Sequence, residues 1–283
     1  MRRAPSNFPP WAIYTLLWVV CKPAGNKYTQ YKNYITYYYI FERREKENAQ
    51  GHFISLFGGL DGLRDRLSEY RELGAKFAKW RAVITIGDNI PSQACIEANA
   101  HALARYAGLC QEAGIVPMVE PEVLMDADNT IEKCYEVTEA TLIALFNQLK
   151  SQDISIERTI LKVNMVVSGK QCPTQAGVQE VADMTVRCLR ANVPAELPGI
   201  VFLSGGQTPE LATAHLNAMN ASNSNMPWPL SFSYGRALQA PCIAAWSGKA
   251  ENLEAAKAAL LHREKCNSLA CSGKYSDNMD KVA

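Results

Sequence analysis

From about Gly59 onward, short apolar runs alternate with longer amphipathic stretches, and this alternation narrows the choice of folds more than any other property of the chain. Apolar runs of strand length joined by helical segments are the pattern of parallel β/α units, because a parallel pair needs a long crossover between its strands. Residues 61–73 read as a helix with Leu63, Leu67 and Tyr70 on one face, stopped at Gly74, and a strand follows over 76–84. A helix from Ser92 to about Glu112 carries Ile96, Ala100, Leu103 and Ala107 at helical spacing. It leads to a strand at 115–119 and a turn at Glu120-Pro121-Glu122. The same reading gives a helix over 130–152, a strand over 159–167, a helix over 178–191 and a strand over 200–203. A helix over 209–219, a strand over 230–234, and helices over 236–246 and 252–266 complete the pattern. About five β/α units are recognisable without an internal repeat, so the expected fold class is α/β, an apparently incomplete (β/α)8 TIM barrel.

Bulk properties exclude several functions. A chain of 283 residues, 48% hydrophobic and 20% charged, is an ordinary globular protein. Its formal charge of +1 offers no field for nucleic acid or an anionic membrane, so any phosphate chemistry must rest on locally placed Lys and Arg. Nine cysteines, an odd number without a CxxC pair, several inside apolar runs, point to a reducing, cytoplasmic setting rather than a disulfide or zinc framework. The four histidines (His52, His101, His215, His262) are scattered without metal-ligand spacing, so neither a metal nor another cofactor is expected. Residues 1–57 stand apart as an extension. They hold an apolar run over 11–21 that is too short to span a bilayer, a tyrosine-crowded stretch over 28–41 and a charged run over 42–47. None of these has a clear helical or strand period.

The chemistry-bearing candidates fall on strands or at their C-terminal ends, where barrel catalytic groups collect. Lys79 and Arg81 lie two apart on one strand and share a face, which also fits a solvated edge. Glu120 and Glu122 form a carboxylate pair suited to acid/base work, or to a helix N-terminus. Lys162 sits within an apolar strand. Such a lysine is either snorkelling or desolvated toward nucleophilicity, and the second reading is preferred. Ser204-Gly205-Gly206 after a strand exposes N–H groups that can cradle a phosphate, and Ser233-Tyr234-Gly235-Arg236 closes the last strand with a guanidinium. Each is ambiguous alone. Together they assemble a nucleophile, an acid/base pair, cations and two phosphate cradles, which a retro-aldol cleavage of a sugar phosphate requires.

In order, the blocks are Gly59-Leu60-Asp61-Gly62-Leu63, Phe77-Ala78-Lys79-Trp80-Arg81, the stretch 116–122, Leu161-Lys162-Val163-Asn164-Met165, the stretch 202–207 and the stretch 232–239. Over about residues 59–275 they resemble the class I fructose-bisphosphate aldolases. The resemblance implies reversible cleavage of fructose 1,6-bisphosphate to dihydroxyacetone phosphate and glyceraldehyde 3-phosphate, without a metal. It implies Lys162 as the Schiff-base lysine, Glu120 as acid/base, and Lys79 and Glu122 as groups that position and polarise the intermediate. Arg81 would bind substrate, while Ser204, Gly205, Ser233, Gly235 and Arg236 would hold its phosphate. It further implies a homo-oligomer, usually a tetramer, that binds neither membrane nor nucleic acid.

Some family features have no counterpart. The first three barrel strands and the first-strand aspartate are not found in residues 1–57, the third-strand lysine and the serines for the second phosphate are unmatched, Val163 replaces a proline, and the C-terminal tail is absent. The expectation is an incomplete barrel with 58–283 as its aldolase-like portion. The alternative function is an impaired aldolase-like module that binds phosphosugars or protein; a transaldolase fits the blocks poorly.

Overall fold

The computed structural model describes residues 59–222 and 225–281, and the backbone alone of 43–47 and 53–57. The apolar run over 11–21 and the tyrosine-rich stretch over 28–41 lie outside the described residues. Within the extension, where no strand period was expected, β1 (Arg43–Glu47) pairs antiparallel with β2 (Phe53–Phe57), with Arg43 opposite Phe57 and Glu47 opposite Phe53. Hairpin pairing satisfies backbone groups whatever the side chains, so a charged segment without alternation can still form a strand.

After α1 (Leu63–Glu72), five parallel strands follow one another in chain order: β3 (Phe77–Ile84), β4 (Val116–Val123), β5 (Ile160–Val163), β6 (Ile200–Phe202) and β7 (Leu230–Phe232). Between them run α2 (Gln93–Glu112), α3 (Ile131–Ser151), α4 (Val178–Asn192) and α5 (Pro209–Ser222), and α6 (Arg236–Trp246) and α7 (Leu253–Ala270) come last. Sequential parallel order with a helix at every crossover is the TIM-barrel pattern, here as five consecutive β/α units.

The helices form where the sequence supplies both caps and stripes. Ser92 Oγ accepts from Cys95 N at 3.2 Å to open α2, and Thr130 Oγ1 accepts from Lys133 N at 3.4 Å to open α3. Leu103, Tyr106, Ala107 and Cys110 of α2 are buried at i, i+3, i+4 and i+7. After α2, Gly114 takes φ 69°, a left-handed turn in which an added Cβ would strike the Arg71 guanidinium.

Strand alternation then sorts the sheet. Ala78 and Ala82 of β3, Val119 of β4, Leu161 and Val163 of β5, and Phe202 of β6 all enter one apolar core with the helices. Period two therefore sends Lys79, Arg81, Glu120, Glu122 and Lys162 to the opposite, inner face. The core is tight enough that removing one of its leucines costs about 2–5 kcal/mol, as expected for Leu145, which has no exposed surface.

Two element boundaries differ from expectation. β4 does not turn at Glu120-Pro121-Glu122; it continues to Val123, paired with β3 through Ala82 opposite Pro121 and Ile84 opposite Val123. Its ladder with β5 covers only Met118 and Val119, so the missing N–H of Pro121 falls beyond the point where that ladder stops. β5, expected over 159–167, ends at Val163. Beyond it the Asn164 side chain replaces the ladder, with Oδ1 accepting from Val123 N at 3.0 Å and Nδ2 donating to Thr138 Oγ1 at 3.1 Å.

Candidate active site

Glu120 is the centre of the inner face. Its Oε2 lies 2.6 Å from Lys79 Nζ and its Oε1 lies 3.0 Å from Lys162 Nζ, so each carboxylate oxygen meets one ammonium group. Register produces this arrangement. Lys79 sits opposite Met118, two residues before Glu120, and Glu120 follows Val119, which is paired with Leu161 immediately before Lys162. Side-chain exposure is 8% for Lys79, 3% for Glu120 and 12% for Lys162, so the cluster is sheltered from bulk water, with Lys162 its most open member. The bonds to Glu120 make Lys162 a half-buried ion-pair partner rather than a snorkelling lysine. One step along the face, Arg81 Nε makes a short ion pair with Glu122, reaching across from its register partner Glu120. Three cations thus face two carboxylates. When one amine gives up its proton, the charges balance and neither carboxylate loses its pairing.

The second part of the site lies where β6 and β7 end. Leu203 N still donates to Val163 O at 3.1 Å, which keeps the following loop beside β5 and its lysine. Gly205 and Gly206 then take φ 63° and 140°, with Gly206 N and Gln207 N both turned onto Ser204 O. Arg236, first residue of α6, donates from Nη2 to Gly205 O at 2.8 Å. Gly235 precedes that helix as its N-cap, and its carbonyl accepts from Leu238 N and Gln239 N. Ser233 N donates to Phe202 O at 2.8 Å, bringing the end of β7 against β6. Ser204, Gly205, Ser233, Gly235 and Arg236 are therefore neighbours, and the start of α6 faces the glycine turn with the positive end of its dipole.

The sequence reading missed two groups. Lys170 arrives from a distant loop: its N donates to Met125 O at 2.7 Å, its Nζ binds Asp126 Oδ1 at 2.5 Å, and the tip of its side chain lies against Gly206, where an added Cβ would displace it. The Lys170 hydrogen bond, aided by the charges of Lys170, Arg236 and Arg81, holds the Asp126 carboxyl below the usual range despite partial desolvation. No motif signals Lys170; a lysine in a polar loop is ordinary until the loop is placed. His215, fully inside α5, is the other. Its Nδ1–H donates to Gln207 Oε1 at 2.5 Å, while Gln207 Nε2 donates to Ser204 O at 3.2 Å, so a buried histidine braces the glycine turn from behind. Burial pushes its imidazole down to about 4, so the ring is neutral at ordinary pH.

A family model described as fructose-bisphosphate aldolase class-I matches residues 49–283. The chain belongs to the class I fructose-bisphosphate aldolase family. The family match reaches into the extension, as far as the residues of β2, beyond the 59–275 resemblance seen in the sequence. A probable fructose-bisphosphate aldolase class 1 of Xanthomonas campestris is 63% identical over 218 residues, 77% of this chain and 65% of the relative. Fructose-bisphosphate aldolase B of Gallus gallus is 52% identical over 217 residues, 77% of this chain and 60% of that one. A solved fructose-bisphosphate aldolase from Plasmodium falciparum superposes with a TM-score of 0.75 at 44% identity, covering 82% of this chain and 67% of its own. The matched part is thus less than two thirds of the length of these curated relatives.

Proposed function

We propose that this chain performs the aldol cleavage of its family, splitting fructose 1,6-bisphosphate into dihydroxyacetone phosphate and glyceraldehyde 3-phosphate through a Schiff base on Lys162. The observation that carries the reading is one carboxylate, Glu120, shared between two sheltered lysines. Lys162, in its neutral form, adds to the ketone carbon of the substrate. Glu120 passes a proton to the carbinolamine hydroxyl, which leaves as water, and an iminium remains. The iminium draws in the electron pair of the breaking carbon–carbon bond while a carboxylate removes the proton of the neighbouring hydroxyl, and the aldehyde departs. Protonation of the enamine and hydrolysis release the ketone phosphate and regenerate Lys162. No metal is needed, because the iminium is the electron sink.

Lys79 holds the second oxygen of Glu120 and so orients it, while Arg81 and Glu122 form the adjoining polar wall. We assign the ketone-half phosphate to the turn of Ser204 and Gly205, the start of α6 at Gly235 and Arg236, and Ser233, with Lys170 as a further cation beside Gly206. The expected setting is the cytoplasm, consistent with eight free cysteines among the described residues, a cytosolic aldolase of Arabidopsis thaliana among the relatives, and no described helix long and apolar enough to cross a membrane. The expected assembly is a homo-oligomer, tetrameric as the family resemblance implies, which sedimentation can check.

The test is chemical trapping. Dihydroxyacetone phosphate is added, the mixture is reduced with borohydride, and the modified peptide is mapped. An adduct at Lys162 with steady cleavage of the bisphosphate is the expected result. An adduct without turnover reduces the chain to a carbonyl-binding module, and no adduct removes the reading altogether.

A further inference from the structure

Outside the sheet, α7 places His262 and Cys266 four residues apart on one helical face, and the turn Asp277–Lys281 returns Asp280 to both. The separations are 3.2 Å from His262 Nε2 to Asp280 Oδ1, 3.6 Å from His262 Nε2 to Cys266 Sγ, and 3.7 Å from Cys266 Sγ to Asp280 Oδ1. Tetrahedral zinc, with bonds of about 2.3 Å to sulfur, about 2.0–2.1 Å to nitrogen and about 2.0 Å to oxygen, needs edges of about 3.3 Å between N and O and about 3.5 Å from S to either. All three edges come close to these values. The three ligand atoms all lie within 4.8 Å of one another.

We propose that His262, Cys266 and Asp280 form a structural binding site for a zinc-class divalent cation, clamping the C-terminal turn onto α7. Thiolate, imidazole and carboxylate are the donor set of Zn2+ rather than of Mg2+ or Ca2+. Cys266 closes the site from the core side, while the His262 side chain is 27% exposed and leaves a path for the ion and for a water as fourth ligand. Asp280 is held in place by two further groups: Tyr275 OH donates to its Oδ2, and Arg263 Nη1 donates to Oδ1, the oxygen that would also meet the cation. Arg263 is itself anchored through Nη2 to Pro209 O at 2.9 Å and Thr213 Oγ1 at 2.5 Å on α5, so it keeps its place when Oδ1 is shared with a cation. Its positive charge weakens the site relative to one built from Cys and His alone. The histidines were expected to lack metal-ligand spacing; His262 and Cys266, a mixed pair one helical turn apart, depart from that expectation. None of the three ligands belongs to the Lys162 cluster, and the proposal stands or falls independently of aldol chemistry.

Cobalt titration of the full chain, with a phosphine reductant, is the direct test. Co2+ should bind stoichiometrically with a thiolate-to-cobalt charge-transfer band in the near ultraviolet and tetrahedral d–d absorption, both erased by added Zn2+, which binds more tightly. Cys266→Ser should abolish the charge-transfer band. His262→Ala, at a partly exposed position, should leave the metal-free circular dichroism and melting temperature unchanged while weakening cobalt binding at least about tenfold. Absence of the band, its survival in Cys266→Ser, or unchanged affinity in His262→Ala overturns the site. If Cys266→Ser does not fold, the His262→Ala titration alone decides.

Discussion

Strands β3 to β5 present their reactive groups as side chains on the sheet's inner face, whereas the ends of β6 and β7 present theirs mainly as backbone. In the first region, Lys79, Glu120 and Lys162 are held by register and by one another's charge, so removing one leaves the others uncompensated in a sheltered place. In the second, the turn of Ser204 to Gly206 depends on two positive φ angles and on a brace behind it, and its charged members, Arg236 and Lys170, approach from other elements. Chemistry that moves protons requires titratable side chains at fixed separations. Binding of a phosphate requires convergent donors, which a helix start and cations from neighbouring elements can supply, whereas the N–H groups of Gly206 and Gln207 are already turned onto Ser204 O.

The comparison is best broken at Glu120. Glu120→Gln leaves Lys79 and Lys162 facing a neutral amide, so denaturant titration should show a loss of about 3–5 kcal/mol, and bisphosphate cleavage should fall roughly 100-fold or more. Next comes the brace. The buried imidazole of His215 has its protonation point lowered from the ordinary 6.5 to about 4. Between those values the unfolded chain binds the extra proton and the native chain does not, so stability rises with pH across that window and is lost as pH falls toward 4. The amount is about 3 kcal/mol, and it should vanish from the pH dependence of melting in His215→Gln, which cannot titrate there.

Gly206→Ala tests the backbone itself. At φ 140° and against Lys170 it should cost about 1–3 kcal/mol. It should also raise the dihydroxyacetone phosphate needed for borohydride trapping, while trapping of unphosphorylated dihydroxyacetone stays unchanged. Equal loss with both ketones would erase the division between the two regions. The smallest effect belongs to Lys170→Met, a partly exposed cation already paired with Asp126, for which a weakening of phosphate-ketone binding of about tenfold or less is expected.

Much of the first region was legible in the chain. Apolar residues at period two in β3 and β5 place Lys79, Arg81 and Lys162 on the face away from the core, and the structure puts them there. The turn assigned to Glu120-Pro121-Glu122 was wrong because proline reads as a breaker only if both edges of a strand are paired, and the short β4–β5 ladder is a property of the sheet. The end of β5 was overrun for a related reason: Val166 and Val167 continue the apolar run, but beyond the short β4–β5 ladder Asn164 supplies a side-chain oxygen to Val123 N of β4.

The sequence by itself determined the order of β/α units, the caps at Ser92 and Thr130, the faces of the lysines and arginine on β3 and β5, and the family. The order, the caps and the faces follow from periods of 2.0 and 3.6 and from contacts within a few positions, and the family from the resemblance of the motif blocks. Only the tertiary structure decided that Glu120 is shared by two lysines, that Lys170 reaches Gly206, that His215 supports Gln207, and that Asp280 folds back on His262 and Cys266. Each of these joins segments brought together by the packing of separate elements, and no local pattern records a distance across the fold.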